Sequence, residues 1–152
     1  MPDYEVTGDS KRLDIGAIYD FLSQSYWSAG IPRAVVERAI ANSLCFGVFH
    51  EGHQVGFARV VTDKATFAYV ADVYILPEHR GKGLSRRLME EVIRHPDLQG
   101  LRRILLATRD AHGLYAKFGF KPLARPERIM EIHDPNVYSS SFKNASSRAT
   151  ER

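Results

Sequence analysis

Arg80-Gly81-Lys82-Gly83-Leu84-Ser85 is the stretch of this sequence that says most about the fold. It lies between a strand-like run, Val70 to Leu76, and a helix-like run, Leu84 to His95. Glycine lets backbone N–H groups approach an anion without a Cβ in the way, and a helix start adds unpaired N–H donors and the positive end of its dipole. The stretch therefore predicts a turn that binds phosphate. The alternative is a solvent-exposed basic turn without a ligand, which would have the same composition.

Neither of the two common phosphate motifs is present in this turn. A nucleotide-binding P-loop needs G-x-x-x-x-G-K-[ST], whereas Gly83 is followed by Leu84 and Ser85. A dinucleotide fingerprint needs a third glycine at a spacing that this sequence lacks. The ligand is therefore expected to carry phosphate and to be held by a different kind of turn.

A second motif, Leu114-Tyr115-Ala116-Lys117-Phe118-Gly119-Phe120, follows the apolar run Ile104 to Thr108. With Asp72-Val73-Tyr74-Ile75-Leu76-Pro77 ahead of the glycine turn, the ordered set resembles the GNAT superfamily of acetyl-CoA-dependent N-acetyltransferases over roughly residues 4 to 133. Ser85 departs from the Gly or Ala usual in the family, but serine is small, so the phosphate cradle is expected to persist.

Hydrophobic periodicity and turn residues predict the order β-α-α-β-β-β-α-β-α-β-β, which matches the GNAT fold. The predicted helices are Asp14 to Ser25, Pro32 to Asn42, Leu84 to His95 and Ala111 to Lys117. The predicted strands are Tyr4 to Thr7, Leu44 to Phe49, Gln54 to Val61, Phe67 to Leu76, Arg103 to Thr108, and a last hairpin of Lys121 to Leu123 with Ile129 to His133. Because Arg103 to Thr108 is apolar on both faces, it is expected to be a central strand.

The fold class is therefore predicted to be α+β, with a central, mostly antiparallel sheet flanked by helices. At 152 residues the chain is one domain by length. Residues 1–138 are assigned to the acetyltransferase domain, and the Ser-rich stretch 139–152 is predicted to be a flexible polar tail. Docking of this tail on a dimer partner is the alternative.

Composition excludes several classes of protein. Apolar residues make up 44% and charged residues 26% of the chain, as in ordinary globular proteins. The N-terminus has no apolar signal region, and no apolar run approaches the length of a membrane span. The lone Cys45 lies in an apolar run and cannot form an internal disulfide, which fits a reducing cytoplasm. The net charge of +3 suits an anionic ligand such as CoA, but it is too small to indicate nucleic acid.

The resemblance implies acetyl-CoA as the co-substrate and assigns residues to it. The backbone from Val73 to Ile75 would pair with the pantetheine arm where two strands splay apart, and the amides from Gly81 to Arg86 would hold the pyrophosphate. Thr108 would either hydrogen-bond the pantetheine or cap the following helix. The complete set of predicted cofactor-binding residues is Val73, Tyr74, Ile75, Gly81, Lys82, Gly83, Leu84, Ser85, Arg86, Thr108 and Lys117.

Two residues are predicted to be catalytic. Tyr115 matches the tyrosine that members of the family use as general acid toward the CoA thiolate; the alternative is an aromatic that packs on the cofactor. Asp72 would bind or deprotonate the amine, or would be a structural acceptor for backbone amides. Polyamine and diamine acetyltransferases place their proposed base, a glutamate, where this chain has Ala71, so that assignment does not carry over.

The acceptor is expected to lie near the loop between the first two helices. Tyr26 and Trp27 would wall a pocket for an ammonium together with Asp72, or would only complete the helix packing. Asp110 and His112 flank the second half of the cleft but are more typical of a helix cap and a surface histidine. The remaining histidines have no metal-ligand spacing, so no metal is predicted.

The leading hypothesis is an enzyme that moves acetyl from acetyl-CoA to a primary amine of a small molecule. The alternatives are a protein or aminoacyl-tRNA acetyltransferase and a non-catalytic CoA-binding module. No long basic stripe supports nucleic acid as a partner. Because dimers are common in the superfamily, the resemblance also allows a homodimer.

Overall fold

Five strands form one sheet in the order β1-β2-β3-β4-β5 in the computed structural model, which describes residues 3–139. The strands are β1 (Tyr4–Thr7), β2 (Leu44–His50), β3 (His53–Thr62), β4 (Phe67–Ile75) and β5 (Arg103–Leu106). The helices are α1 (Ile15–Leu22), α2 (Arg33–Ala41), α3 (Leu84–Arg94) and α4 (His112–Ala116). Neighbours from β1 to β4 are antiparallel and β5 is parallel to β4, which confirms the predicted α+β class.

The sheet has an apolar core on each face because side chains alternate along a strand. Along β2, Phe46 and Val48 join a cluster that includes four buried residues of α3, whereas Cys45 joins a cluster with α1 and α2. The helices therefore cover both faces of the sheet. The predicted role of Cys45 as a core hydrophobe is confirmed, and burial raises the pKa of its thiol to about 12.

Local hydrogen bonds set the ends of α1. The Asp14 carboxylate accepts a bond from the Ala17 N–H at 3.0 Å and so caps the helix. The helix ends at Leu22 rather than Ser25, because the Ser25 hydroxyl donates to the Leu22 carbonyl at 2.7 Å and accepts from the Ser28 N–H at 3.1 Å. A serine that bonds the neighbouring backbone in this way favours a turn over a further helical turn.

A tight turn at Glu51-Gly52 joins β2 to β3. Glu51 and Gly52 have φ values of 51° and 82°. Positive φ at both central residues is the requirement of a type I′ turn, whose twist matches that of the flanking strands.

A β-bulge interrupts β4 at Asp72. Arg59 pairs with Ala71 and Phe57 with Tyr74, so Asp72 and Val73 together oppose a single residue of β3. Asp72 itself has a φ of 53°, in the left-handed region. The extra residue exchanges the two faces of the strand: even-numbered Ala68 and Val70 pack with α3 before the bulge, whereas odd-numbered Val73 and Ile75 do so after it.

Two of the predicted strand features are wrong. The strand from Arg103 was predicted to be central, but among the described residues β5 lies at the edge of the sheet. It ends at Leu106, and its residues are exposed or only partly buried. The predicted hairpin of Lys121 to Leu123 with Ile129 to His133 is not formed, and no residue of it is assigned to a strand. Pro122 and Pro126 have no N–H to donate to a ladder, and residues 126–128 form a 3₁₀ turn instead.

The predicted tail lies outside the described residues apart from Ser139. In the part of the chain that the structure describes, none of the helices has the length and apolar character needed to cross a membrane.

The close packing of β3 on β4 makes Gly56 a sharp test of the sheet. A Cβ added there would lie 2.7 Å from Ile75 Cδ1 and 3.1 Å from the Tyr74 carbonyl oxygen. We expect Gly56→Ala to lower the free energy of unfolding by about 1–3 kcal/mol, as overpacking of a core does. Gly113→Ala is the control, because its Cβ would meet nothing within 4 Å. Denaturant unfolding curves that coincide for the two variants would contradict this packing.

Candidate active site

The candidate site is the space that opens where β4 and β5 diverge. The last pair between them is Val70 with Leu106, and beyond it the β5-facing edge of β4 has no strand partner among the described residues. A cavity of about 580 Å³ lies here. Most of its lining residues come from the α1–α2 loop, from β4 at and just before the bulge, and from the end of β5 with the chain that follows it, and β3, α4 and the segment after Phe120 add one residue each.

Asp72 lies in the wall of this cavity with both carboxylate oxygens engaged. Arg59 Nε donates to Oδ2 at 2.7 Å, and Trp27 Nε1 donates to Oδ1 at 2.8 Å. The pair is largely buried, with 9% of the Asp72 side chain and 19% of the Arg59 side chain exposed. Each oxygen has further lone-pair directions, so the carboxylate can still accept a bond from a ligand. The two donors favour a carboxylate that binds and orients over one that removes protons.

Aromatic side chains from the α1–α2 loop form the part of the wall next to Asp72. Tyr26 and Trp27 stand edge to face with ring centroids 5.0 Å apart, and Phe21 lies behind Trp27 at 6.1 Å. Arg109 places its guanidinium 3.9 Å from the centroid of the Tyr26 ring. The wall thus combines exposed aromatic faces with one cation already stacked on them.

Tyr115 reaches the cavity from α4. It is buried and packs edge to face on Phe120 at 5.9 Å. Burial, and secondarily the nearby Tyr26, raise the pKa of the Tyr115 phenol. The hydroxyl therefore keeps its proton at neutral pH and is chemically suited to donate it.

Thr108 does not cap α4, which was one of its two predicted roles. Its hydroxyl oxygen accepts a bond from the Ala111 N–H at 3.0 Å, but Ala111 precedes the helix, and the start of α4 has no side-chain cap. The hydroxyl hydrogen stays available, and Thr108 also lines the cavity. Asp110 caps nothing; its exposed carboxylate lies 3.9 Å from Arg109.

The glycine-rich turn presents backbone donors at the start of α3. Gly81 and Gly83 have φ values of 78° and 73°, and a Cβ on either would meet nothing within 4 Å. The first bond within the helix runs from the Arg87 N–H to the Gly83 carbonyl at 3.1 Å. The N–H groups of residues 84–86 thus precede the helical ladder, which is the arrangement that binds anions at helix N-termini.

Two basic side chains of this turn have partners within the fold. Arg80 Nε donates to the Ile75 carbonyl at 2.8 Å and ties the turn to the end of β4. Lys82 Nζ donates to the Tyr4 hydroxyl at 3.2 Å. These contacts fix the position of the turn relative to the cleft.

The structure brings together only some of the residues that the sequence singled out. Those that line the cavity are Tyr26, Trp27, Asp72, Val73, Thr108, Asp110 and Tyr115. Tyr74 faces away and stacks on Phe21 at 3.8 Å, so only its backbone is available to the cleft. His112 on α4 and Lys117 just after it are exposed and lie outside the cavity lining.

Sequence reasoning missed four of the large polar side chains that line the cavity: Arg59, Tyr69, Arg109 and His133. The signal for Arg59 was a lone cation in an otherwise apolar strand, which needs a partner when it is buried. No local pattern marks His133, because a chain segment without regular structure brings it to the cavity. Within residues 3–139, no three His, Cys, Asp or Glu side chains cluster closely enough to hold a metal ion.

Residues 15–120 match the GNAT family of acetyltransferases. The chain belongs to this family. A curated relative from Gibberella zeae, named as an inferred acetyltransferase, is 36% identical over 76% of this chain and 77% of its own length. A crystal structure of a GNAT-family protein from Xanthomonas campestris pv. campestris, described in the same way, is 57% identical, with a TM-score of 0.89 over 91% of this chain and 99% of that one. A Clostridium acetobutylicum structure determined with acetyl-CoA shares the GNAT fold at 16% identity, with a TM-score of 0.62 over 86% of this chain and 94% of that one.

Two substitutions at Asp72 separate the effect of its left-handed backbone on stability from the effect of its ion pair. Asp72→Ala and Asp72→Gly both remove the carboxylate and leave Arg59 without its partner, which is costly for a buried pair. Only Asp72→Gly relieves the left-handed backbone, which costs an ordinary L-residue about 1–2 kcal/mol. We expect Asp72→Ala to unfold at a lower denaturant concentration than Asp72→Gly. Equal midpoints would show that the positive φ at this position carries no strain.

Proposed function

We propose that the protein transfers the acetyl group of acetyl-CoA to a primary amine of a small molecule, by direct transfer in a ternary complex. The observation that carries this proposal is the unpaired edge of β4 beyond Val70, with a cavity bounded by Asp72, Trp27 and Tyr115 beside it. The chain leaves the end of β4 for the start of α3, where the N–H groups of residues 84–86 precede the helical ladder. A phosphate-bearing cofactor would lie along α3 and β4, and the amine would enter the cavity.

Acetyl-CoA would be held mainly by backbone groups. The pyrophosphate fits the N–H groups of residues 84–86, and the amides of the pantetheine arm would add to β4 from Val73 to Ile75, much as a strand adds to a sheet. The Clostridium acetobutylicum relative was determined with acetyl-CoA, which supports the same ligand in a shared fold. An N–H group of the bulge would polarise the thioester carbonyl as charge develops on its oxygen.

The chemical step requires one bond to form and one to break. The neutral amine nitrogen attacks the thioester carbonyl carbon, the new C–N bond forms, and the C–S bond breaks with its electron pair on sulfur. We assign Tyr115 the donation of a proton to that thiolate, since its raised pKa keeps the phenol protonated. Two protons leave the nitrogen. The one shed by the ammonium before attack would pass to water beside Asp72, because Ala71 supplies no carboxylate. The one lost as the amide forms would pass through water to the Tyr115 phenolate and restore the phenol.

The acceptor is proposed to be a compact cation. Asp72 supplies negative charge at the cavity wall, and Tyr26 and Trp27 supply aromatic faces that attract an ammonium. A long peptide would need an open groove rather than a walled cavity. An acetyl-CoA consumption assay against small amines, peptides and charged tRNA tests this directly. We expect turnover with small amines above the other two classes; preference for peptide or tRNA would overturn the substrate class, and no turnover with any acceptor would favour a CoA-binding module.

The phosphate cradle can be tested by Gly83→Asp. The variant places a side chain and a negative charge where the pyrophosphate is proposed to lie, so calorimetric affinity for CoA should fall by about tenfold or more. Gly100→Asp is the matched control, because Gly100 has the same left-handed φ, 72°, with nothing within 4 Å of its Cβ. Equal affinities of the two variants would remove the cradle from this turn.

Tyr115→Phe should lower kcat and leave KM for acetyl-CoA nearly unchanged, because it deletes only the proton donor. General acid catalysis contributes about 10²–10⁴-fold. Since burial raises the Tyr115 pKa, the alkaline fall in the kcat of the wild type should come above the ordinary phenol value of about 10 and vanish in the variant. Tyr69→Phe, in the same cavity, is the control. An unchanged kcat in Tyr115→Phe would leave Tyr115 as a packing residue.

Asp72→Asn should raise KM for the amine by more than it raises KM for acetyl-CoA, because it removes negative charge where the ammonium is proposed to bind. Asp110→Asn removes a carboxylate from the same cavity, but that side chain is 75% exposed, so its effect should be small. Thermal melting of both variants separates a loss of binding from a loss of fold. A folded Asp72→Asn enzyme with normal kinetics would exclude Asp72 from acceptor binding.

A further inference from the structure

Two arginines line the cavity, and only one of them has hydrogen-bond partners within the described part of the chain. Arg59 donates from Nε to the Asp72 carboxylate at 2.7 Å and from Nη1 to the Ser43 hydroxyl at 3.1 Å. Arg109 has no such partner among residues 3–139: the Asp110 carboxylate lies 3.9 Å from its Nη2, which exceeds hydrogen-bond distance. The cavity therefore contains one guanidinium whose donors a ligand can still use.

Stacking holds the Arg109 guanidinium in place without using those donors. Its central carbon lies 3.9 Å from the centroid of the Tyr26 ring. A guanidinium stacked in this way keeps its five N–H groups in its own plane, pointing past the ring. Asp110 does little to neutralise it, because both side chains are mostly exposed and an exposed ion pair is weak. Arg109 is thus a positioned cation, which lowers the entropy lost when it binds a ligand.

A row of contacts along the cavity wall connects Arg109 with Asp72. The Asp72 carboxylate accepts a bond from Trp27 Nε1 at 2.8 Å, and the Trp27 and Tyr26 rings have centroids 5.0 Å apart. Arg109 follows on the Tyr26 ring. Two aromatic side chains therefore separate a carboxylate from a guanidinium, and the proposed ammonium site has a positive charge at the other end of the same wall.

A carboxylate is the ligand group that fits the Arg109 guanidinium best. Two parallel N–H groups of an arginine match the two oxygens of a carboxylate, and such charge-assisted pairs are among the stronger hydrogen bonds. A phosphate has up to two negative charges and three acceptor oxygens, so it calls for more donors than one guanidinium beside an aspartate supplies. The singly charged, planar group is therefore favoured.

We propose that the acceptor carries a carboxylate in addition to its amine, and that Arg109 binds this carboxylate while Asp72 faces the ammonium. The inference rests on the proposed function, because it concerns the acceptor in the same cavity. It narrows the substrate class to compact aminocarboxylic acids. Simple amines would leave Arg109 without a partner, and the second ammonium of a diamine would be repelled by it.

Trp27 reports on acceptor binding without any need for turnover, because it is the single tryptophan of the chain and lines the cavity. Its emission is followed as the protein is titrated with CoA present. The probes are the non-aromatic protein amino acids, β-alanine and 4-aminobutyrate, each compared with the amine that remains when its carboxylate is removed. The best acid should bind about tenfold or more tightly than its matched amine, as expected for hydrogen bonds to a charged group.

Arg109→Gln should remove most of this difference between acid and amine, because it deletes the charge and the paired donors. A loss of packing alone would weaken the acid and its amine alike, so the ratio of the two Kd values isolates the carboxylate contact. Arg102→Gln is the matched control: it removes the same charge from an exposed residue outside the cavity lining and should keep the full ratio. Melting curves show whether both variants are folded.

Acetylation of the same probes by acetyl-CoA is measured separately, so that the two proposals fail in different ways. Equal binding of acid and amine in every pair, or a ratio that persists in Arg109→Gln, would overturn the carboxylate site. Binding of an acid that is never acetylated would contradict the proposed function and leave the carboxylate site in place. Acetylation of amines with no preference for acids would contradict the carboxylate site and leave the acetyl transfer in place.

Discussion

The bulge at Asp72 is the constraint on which the rest of the structure depends. One extra residue in β4 exchanges the faces of the strand, and the pairing with β5 ends just before it. The same residue anchors Arg59 and Trp27 through its two carboxylate oxygens. A single backbone irregularity thus opens the cleft, frees an edge of β4, and fixes the aromatic wall of the cavity. Its left-handed φ is compatible with aspartate, which tolerates that region better than most residues.

Features encoded by neighbouring residues could be predicted from the sequence. The turn from Arg80 to Ser85 has two glycines where the structure needs positive φ, and a tight turn forms at Glu51-Gly52 between two strands that the apolar pattern predicts. The apolar period of α3 places its buried residues against the sheet, so its boundaries were predicted to within one residue. In each case the information lies within a few positions along the chain.

Features that depend on distant contacts could not be predicted. Trp27 and Asp72 are far apart in sequence, and nothing near either residue shows that the indole donates to the carboxylate. The apolar run from Arg103 to Thr108 predicted a central strand. Among the described residues β5 is instead an edge strand, and the apolar character of its side chains does not indicate how many neighbours a strand has. The hairpin prediction failed because apolar content at Ile129 to His133 is typical of a strand, whereas Pro122 and Pro126 lack the N–H groups that a ladder with this segment would need.

The central claim is that the cleft between β4 and β5 binds CoA through backbone amides of β4 beyond the bulge and of the start of α3. Titration of ¹⁵N-labelled protein with CoA, followed by amide chemical shifts, tests it residue by residue. The account predicts that the largest shifts fall at Val73 to Ile75 and at Gly81 to Arg86, with Gly100 and the β2–β3 turn unchanged. Shifts confined to other parts of the sheet, or absent at saturating CoA, would contradict it.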